Sequence, residues 1–159
     1  ASGGVIEAAL RTAYELYTGQ KLEKVDFEAV RGLDNIKKAT VRLNGVELHV
    51  GIAHGLGNAR KLLNEIKEGK SEFHAIEIMA CPGGCVNGGG QPVQDATVRS
   101  TTDLKSLRAA VLYHDDDTSE FRKSHENPAC IKVYEEFLEE PGSHIAHEIL
   151  HTHYIKRGL

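Results

Sequence analysis

No run of basic residues occurs in the 159-residue chain, and its formal charge is −4 with a pI near 6.1. A nucleic-acid surface needs clustered Lys and Arg, so that class of partner is excluded. No apolar stretch approaches the ~20 residues that span a bilayer. The basic, apolar and small-residue succession of a signal peptide is missing. No internal repeat, low-complexity tract or linker divides the sequence. Cysteine is scarce at three residues, so at least one thiol stays outside any internal disulfide. The only close pair, Cys81 and Cys85, reads as a metal or redox pair in a reducing, cytoplasmic compartment. A second C-x-x-C, which a zinc ribbon needs, is absent, as is the C-x-x-C of a thioredoxin-type pair.

What is present suits one folded domain over 1–159 with a real core: 40% of residues are hydrophobic and 26% charged. The chain begins Ala1-Ser2-Gly3-Gly4, almost inside a helical pattern and without an initiator Met, which predicts a fragment or a processed chain. Ser2 is the expected N-cap, with Gly3 and Gly4 in the first turn, and a helix follows over 5–18. Val5, Ala8, Ala9, Ala13 and Leu16 keep roughly helical spacing, and Gly19 closes it. Two apolar-rich runs around Asn44-Gly45 predict a hairpin with strands near 39–43 and 46–53. A helix over 57–68 ends at Gly69. The stretch 73–80 alternates again and predicts a strand that buries Phe73, Ala75, Ile76 and Ile78. Beyond Pro92 the pattern is helical: a helix over 103–114 capped by Thr101 or Thr102, one opened by Asn127-Pro128 and stopped at Pro141-Gly142, and a short last one capped by Ser143. The fold class is therefore α/β, a small mixed sheet flanked by helices with a helical C-terminal third.

The strand at 73–80 delivers the chain into "MACPGGCVNGGGQP", residues 79–92, two cysteines four apart in a bed of glycine. Thiolates are ligands for zinc, copper(I) and iron–sulfur clusters. C-x₃-C lets both sulfurs point into one site. Gly83 and Gly84 remove Cβ atoms and permit positive φ, so backbone can approach a bulky ligand. Gly88, Gly89 and Gly90 repeat the device, and Pro82 and Pro92 stiffen the ends. An exposed redox disulfide, or a surface loop with incidental thiols, stands beside the metal reading.

"EIMACPGGCVNGGGQP" resembles the third cluster-binding motif of the iron-only (FeFe) hydrogenases. "ASGGVIEAALRTAYELYTG" resembles a helix of that family's catalytic domain, and "GSHIAHEILHTHY" its usual ending. The resemblance covers nearly the whole chain. It implies the second of two α/β lobes that enclose the H-cluster, and the parent reaction 2H⁺ + 2e⁻ ⇌ H₂. In that family four cysteines bind a 4Fe-4S cluster, one of them bridging to a two-iron subcluster. By position, Cys81 would be a cubane ligand and Cys85 the bridging one. Met79 would pack its thioether beside the two-iron centre, with Gly83 and Gly84 in the cofactor-binding loop. The family's other two motifs, with the remaining cysteine ligands and the proton-transferring cysteine, do not occur in this sequence. The resemblance therefore implies an isolated chain that is inactive, and no catalytic residue is assigned within it. Its partners would be the missing N-terminal part of the catalytic domain and a redox partner (ferredoxin, cytochrome or a nicotinamide-linked subunit). Self-association through the uncovered face is expected. The alternative is a non-enzymatic homologue using the loop for iron–sulfur binding or electron transfer.

A rival motif lies at 147–151, where His147-Glu148-x-x-His151 satisfies the zincin pattern H-E-x-x-H. It is ranked third, as a zinc metalloprotease, because only eight residues follow His151. Cys130 reads as a buried structural thiol, and His49, His54 and His74 as structural or surface residues. The segment "HDDDTSE" from 114 reads as a solvated loop. Glu77 is expected to be partly buried and paired with a base or a backbone N–H.

Overall fold

Alternation of apolar and polar residues on either side of Asn44-Gly45 builds the framework. In the computed structural model, which describes residues 1–156 and 158, β1 (Ile36–Leu43) and β2 (Val46–His54) pair antiparallel around that dipeptide. Asn44 and Gly45 take φ of 47° and 86°, as a two-residue hairpin turn requires. Helix α2 (Leu56–Lys67) then carries the chain over to β3 (Ala75–Met79), which lies parallel to β2. The result is the expected small mixed sheet, three strands in the order β1-β2-β3.

The two faces of the sheet are served by different helices. Register puts Lys37, Ala39, Val41 and Leu43 opposite Ile52, Val50, Leu48 and Val46, all on one face. There Ala39, Val41, Leu43, Leu48, Val50 and Ile52 join Ile6 and Leu10 of α1 (Gly4–Thr18), Val30 and Phe27 in the main core. On the opposite face Gly51 lets α2 approach: a Cβ at Gly51 would stand 3.2 Å from Leu62 Cδ2. Ile52 and Leu62 are fully buried, each worth roughly 1.5–3 kcal/mol of transfer free energy.

Helix α1 has the expected span and ends at Gly19, but it buries another stripe. Val5 and Leu16 are 63% and 75% exposed, whereas Ile6, Glu7, Leu10 and Arg11 are buried. Half of that stripe is charged, so a purely apolar period does not find it. Arg11 donates two hydrogen bonds to Asp116, at 2.7 and 2.9 Å, and one to Glu7 at 3.1 Å. Arg31 donates to Glu7 and to Asp26 and lies 4.8 Å over the Tyr113 ring. Both guanidinium pKa values are raised, chiefly by the hydrogen bond to Asp116 for Arg11 and to Glu7 for Arg31. Buried charges persist only when paired in this way.

Asp116 therefore corrects the reading of "HDDDTSE" as a solvated loop, because α4 (Leu104–Thr118) runs through that segment. The cap of α4 is Asp103, which accepts from Ser106 N, rather than Thr101 or Thr102. Thr101 is instead used by a short helix the pattern did not announce, α3 (Ala96–Thr101), capped by Asp95. In β3, Phe73 stands half-buried just before the strand, while Ala75, Ile76 and Ile78 are exposed, and Glu77 is the buried residue. β3 is an edge strand, and its one covered position shares a row with Ile52 and Lys37 on the α1 face.

The chain divides into two compact units, Ala1–Glu120 and Phe121–Leu159. In the second, α5 (Pro128–Val133) opens as expected, with Asn127 accepting from Ala129 N. It continues into a π-type turn, Tyr134–Leu138, and ends at Glu139 with φ 66°, ahead of Pro141. Helix α6 (His144–Leu150) is capped by Ser143, whose Oγ accepts from Ala146 N. Among the described residues no helix is long and apolar enough to cross a membrane.

Candidate metal centre

Parallel pairing sets the position of the glycine loop. The C-terminal ends of β2 and β3 emerge side by side, with Gly55 N donating to Met79 O at 2.8 Å. Loops at such strand ends are where open α/β sheets bind ligands. After Ala80 the backbone turns at once: Gly84 N donates to Cys81 O at 2.8 Å, with Pro82 second and Gly83 third at φ 86°. That residue order is the signature of a type II turn. Gly84 follows at φ 85° and ψ −155°, a conformation essentially reserved to glycine. A short 3₁₀ turn, Cys85–Asn87, closes the loop, and fully buried Val86 anchors it.

Contacts from distant elements hold this loop. Arg108 of α4 donates to Val86 O and Pro92 O, at 3.1 and 2.8 Å. Gln91 Nε2 donates to Cys85 O. Ser2 N donates to Gly83 O at 3.1 Å. Ser2 O in turn accepts from Lys37 Nζ, whose other two donors go to Val30 O and Gly32 O, all at 2.8–2.9 Å. Burial pushes the Lys37 ammonium below its usual pKa of 10.5, and the charge of Glu77 opposes that shift.

Glu77 completes the frame. Ser2 is not the N-cap of α1; that position belongs to Gly3, at φ 98° and with no side chain to offer. A Cβ at Gly3 would overlap Val30 O, so only glycine fits. The cap comes from β3 instead: Glu77 accepts from Gly3 N at 2.5 Å and from Ile6 N at 2.9 Å. A carboxylate there satisfies two otherwise orphaned amides and complements the helix dipole. Glu77 thus pairs with backbone N–H groups, one of the two expected partners. Ser2 Oγ and His54 Nδ1 are buried without a hydrogen-bond partner. His54 Nε2 lies 3.1 Å from Leu33 O, so that nitrogen carries a hydrogen and donates it to the carbonyl.

Several of the residues singled out in the sequence come together here. Met79 Sδ lies beside Gly84, within 2.7 Å of where a Cβ would stand. Cys81 Sγ faces Gly88 at 3.8 Å by the same measure. Cys81 is half-buried, Cys85 exposed, and both are free thiols, as is half-buried Cys130 on α5. Two soft donors on a glycine-rich backbone fit an iron–sulfur ligand set, and would make up half of the four thiolates a cubane takes. A separate hollow of about 300 Å³ lies beside Lys38, Thr40, His49 and Phe73. It has no thiol, so chemistry favours the loop.

The zincin motif assembles only in part: its two histidines meet, with Nδ1 atoms 2.9 Å apart, but not on a continuous helix and not with the glutamate beside them. Helix α6 stops at Leu150, His151 is already extended, and Glu148 turns to His144, 4.0 Å away. Lys37 and Arg108 were not legible as loop-holding residues. Nothing in their sequence surroundings distinguishes them from surface cations.

Fold and loop together define a class: an α/β unit that presents paired thiols at the C-terminal end of a parallel strand. The family model for the iron-only hydrogenase large subunit, C-terminal domain, matches residues 1–89, and that for the iron hydrogenase small subunit matches 102–157. The NADP-reducing hydrogenase subunit HndD of Solidesulfovibrio fructosivorans is 58% identical over 156 residues, 98% of this chain and 26% of that protein. Iron hydrogenase 1 of Clostridium pasteurianum is 44% identical, over 98% of this chain and 27% of its own length. A variant of the FeFe-hydrogenase HydA1 from Chlamydomonas reinhardtii superposes with a TM-score of 0.72 at 39% identity, covering 98% of this chain and 45% of that one. A cytosolic Fe-S cluster assembly factor of Xenopus tropicalis is 32% identical over 96% of this chain and 31% of its own. The chain belongs to the iron-only hydrogenase family, and it spans about a quarter of the length of the HndD subunit and of iron hydrogenase 1.

Proposed function

We propose that this chain is the C-terminal lobe of an FeFe-hydrogenase catalytic domain and supplies two cysteine ligands of the H-cluster. The observation that carries this reading is the loop itself: two free thiols four apart on a turn that only glycine permits. Cys81 would hold the 4Fe-4S cluster, Cys85 would bridge to the two-iron subcluster, and the Met79 thioether would lie beside the latter. When bound, such a centre supplies the electrons that reduce protons, 2H⁺ + 2e⁻ ⇌ H₂. The chain's own part is positional. Gly83 and Gly84 take the positive φ of the turn, Gly84 leaves space for the Met79 thioether and the Ser2 amide, Val86 anchors the loop, and Ser2, Lys37 and Arg108 fix its backbone.

With two of four thiolates, the chain by itself does not turn over hydrogen. The missing partner is the rest of the catalytic domain, and the name of the 58% identical relative favours a nicotinamide-linked redox partner over a ferredoxin or cytochrome. Three free thiols suit a reducing, cytoplasmic compartment. Without its other lobe the chain self-associates through apolar surface such as the hollow lined by Ala13, Tyr17, Leu43, Val46 and Leu48. A second reading, non-enzymatic iron–sulfur assembly, has the 32% identical assembly factor behind it and ranks below the 44–58% identical hydrogenases.

Iron and sulfide content after anaerobic reconstitution, for the chain and for its Cys81→Ser/Cys85→Ser variant, is the deciding measurement. Iron with matching sulfide, lost in the variant, supports the loop as the ligand. Iron that survives the substitutions refutes it. Hydrogen evolution by the isolated chain would refute its inactivity, and sedimentation of a clean monomer its self-association.

A further inference from the structure

Two imidazoles at the end of α6 take no part in the site above. His147 sits in the last turn of the helix and His151 follows it in extended conformation. Their Nδ1 atoms are 2.9 Å apart, and the rings meet edge to face with centroids 4.5 Å apart. Both side chains are exposed. At that separation one Nδ1 must carry a hydrogen and the other accept it, so the pair is already held in one relative orientation.

The spacing has a second chemical meaning. Two nitrogens about 2.05 Å from one metal ion lie about 2.9 Å apart when they subtend 90°, and about 3.3 Å apart at the tetrahedral angle. The observed separation matches a cis pair in tetragonal geometry. Square-planar and tetragonal nitrogen sites suit copper(II) and nickel(II), and copper(II) binds most tightly in the divalent series. We propose that His147 and His151 form a bis-imidazole chelate for a divalent late transition metal, copper(II) or nickel(II) ahead of zinc. The ion takes the place of the hydrogen between the two Nδ1 atoms, and the ring that carried it takes that hydrogen at Nε2 through solvent, so both imidazoles bind as neutral ligands with no net proton released. No third ligating side chain joins the pair among the described residues. Water or an added ligand fills the remaining positions, so this is a binding site and not a hydrolytic centre. Bound metal ties the extended His151 back onto the last turn of α6.

The test uses the full chain with Cys81, Cys85 and Cys130 changed to Ser, so that thiolates do not compete, and copper(II) alone as probe. Calorimetry and electron paramagnetic resonance are read together. The expected result is one equivalent bound with hyperfine splitting from two nitrogens. His147→Gln and His151→Gln should each weaken binding at least tenfold and remove one nitrogen from the splitting. The control is His49→Gln/His74→Gln, which alters the other close imidazole pair, with ring centroids 5.4 Å apart, and should leave binding unchanged. Binding unaffected by His147→Gln, or lost in the control, overturns the assignment. Tetrahedral cobalt(II) spectra on substitution would overturn the tetragonal geometry. Far-UV circular dichroism of each variant separates lost ligation from lost folding.

Discussion

Replacing Gly84 by alanine tests how the glycine loop is held. Two independent costs meet at this position. The backbone has φ 85° and ψ −155°, a region where a non-glycine residue costs roughly 1–3 kcal/mol. The new methyl would also stand 2.7 Å from Met79 Sδ and 2.8 Å from Ser2 N. The thioether can swing aside. The Ser2 amide cannot, because it is bonded to Gly83 O and its carbonyl is held by Lys37. Overpacking of this kind adds about 1–3 kcal/mol. Two neighbours separate the terms. At Gly83, φ is 86° but a methyl meets nothing closer than 3.5 Å, so Gly83→Ala carries conformational strain alone. At Gly89 a methyl enters open space and no positive φ is required, so Gly89→Ala should fall within about 0.5 kcal/mol of the parent. Thermal melts followed by circular dichroism should therefore rank Gly89→Ala above Gly83→Ala above Gly84→Ala. At about 2–4 °C per kcal/mol for a chain of this size, Gly84→Ala should lose on the order of 10 °C. A Gly84→Ala melt that coincides with that of Gly83→Ala would refute the claim that the Ser2 backbone is pressed against the loop.

Glu77→Gln should destabilise by about 2–4 kcal/mol in urea unfolding, because an amide group presents a donor to one of two buried N–H donors and removes the charge from the helix start; a midpoint equal to the parent's would contradict the cap. The pKa of Asp103 lies below its usual 3.8, first through the Ser106 hydroxyl and then through the Ser106 amide. Its folded pKa is depressed, so its contribution is present above pH 3.8 and lost as pH falls through the folded value. Asp103→Asn, which keeps a cap at neutral pH, should flatten the loss of stability below pH 3.8, and an unchanged acid limb would rule out the Asp103–Ser106 contact as its source.

The hairpin was readable because Asn44-Gly45 states its own geometry, and the α5 and α6 starts because Asn127-Pro128 and Ser143 are local signals. The thiol pair was equally plain, since nothing in ordinary packing calls for two cysteines among so many glycines. What failed depended on partners far away in sequence. Ser2 looks like a cap in isolation, but Lys37 and Gly83 claim its peptide, and Glu77 performs the capping from 74 residues off. Asp116 looks like part of a solvated acidic run until Arg11 and Arg31 arrive from the other end of the unit. Ile76 and Ile78 follow the alternation of a buried strand, but an edge position exposes them. Local rules read backbone turns and caps well, and they are silent on which buried charge will find which other.

The bond between Ser2 N and Gly83 O, with the pair of bonds between Glu77 and the start of α1, carries a consequence for how the loop comes into being. These are closures across roughly seventy to eighty residues, and their entropy must be recovered before they add anything. The Asn44-Gly45 hairpin closes cheaply and early. The shape of the cysteine loop therefore depends on residues 1–6 being docked against β3. Its geometry is thus a property of the completed topology, and a circular permutation that freed residues 1–6 from β3 would leave the thiol sequence intact and dissolve the site.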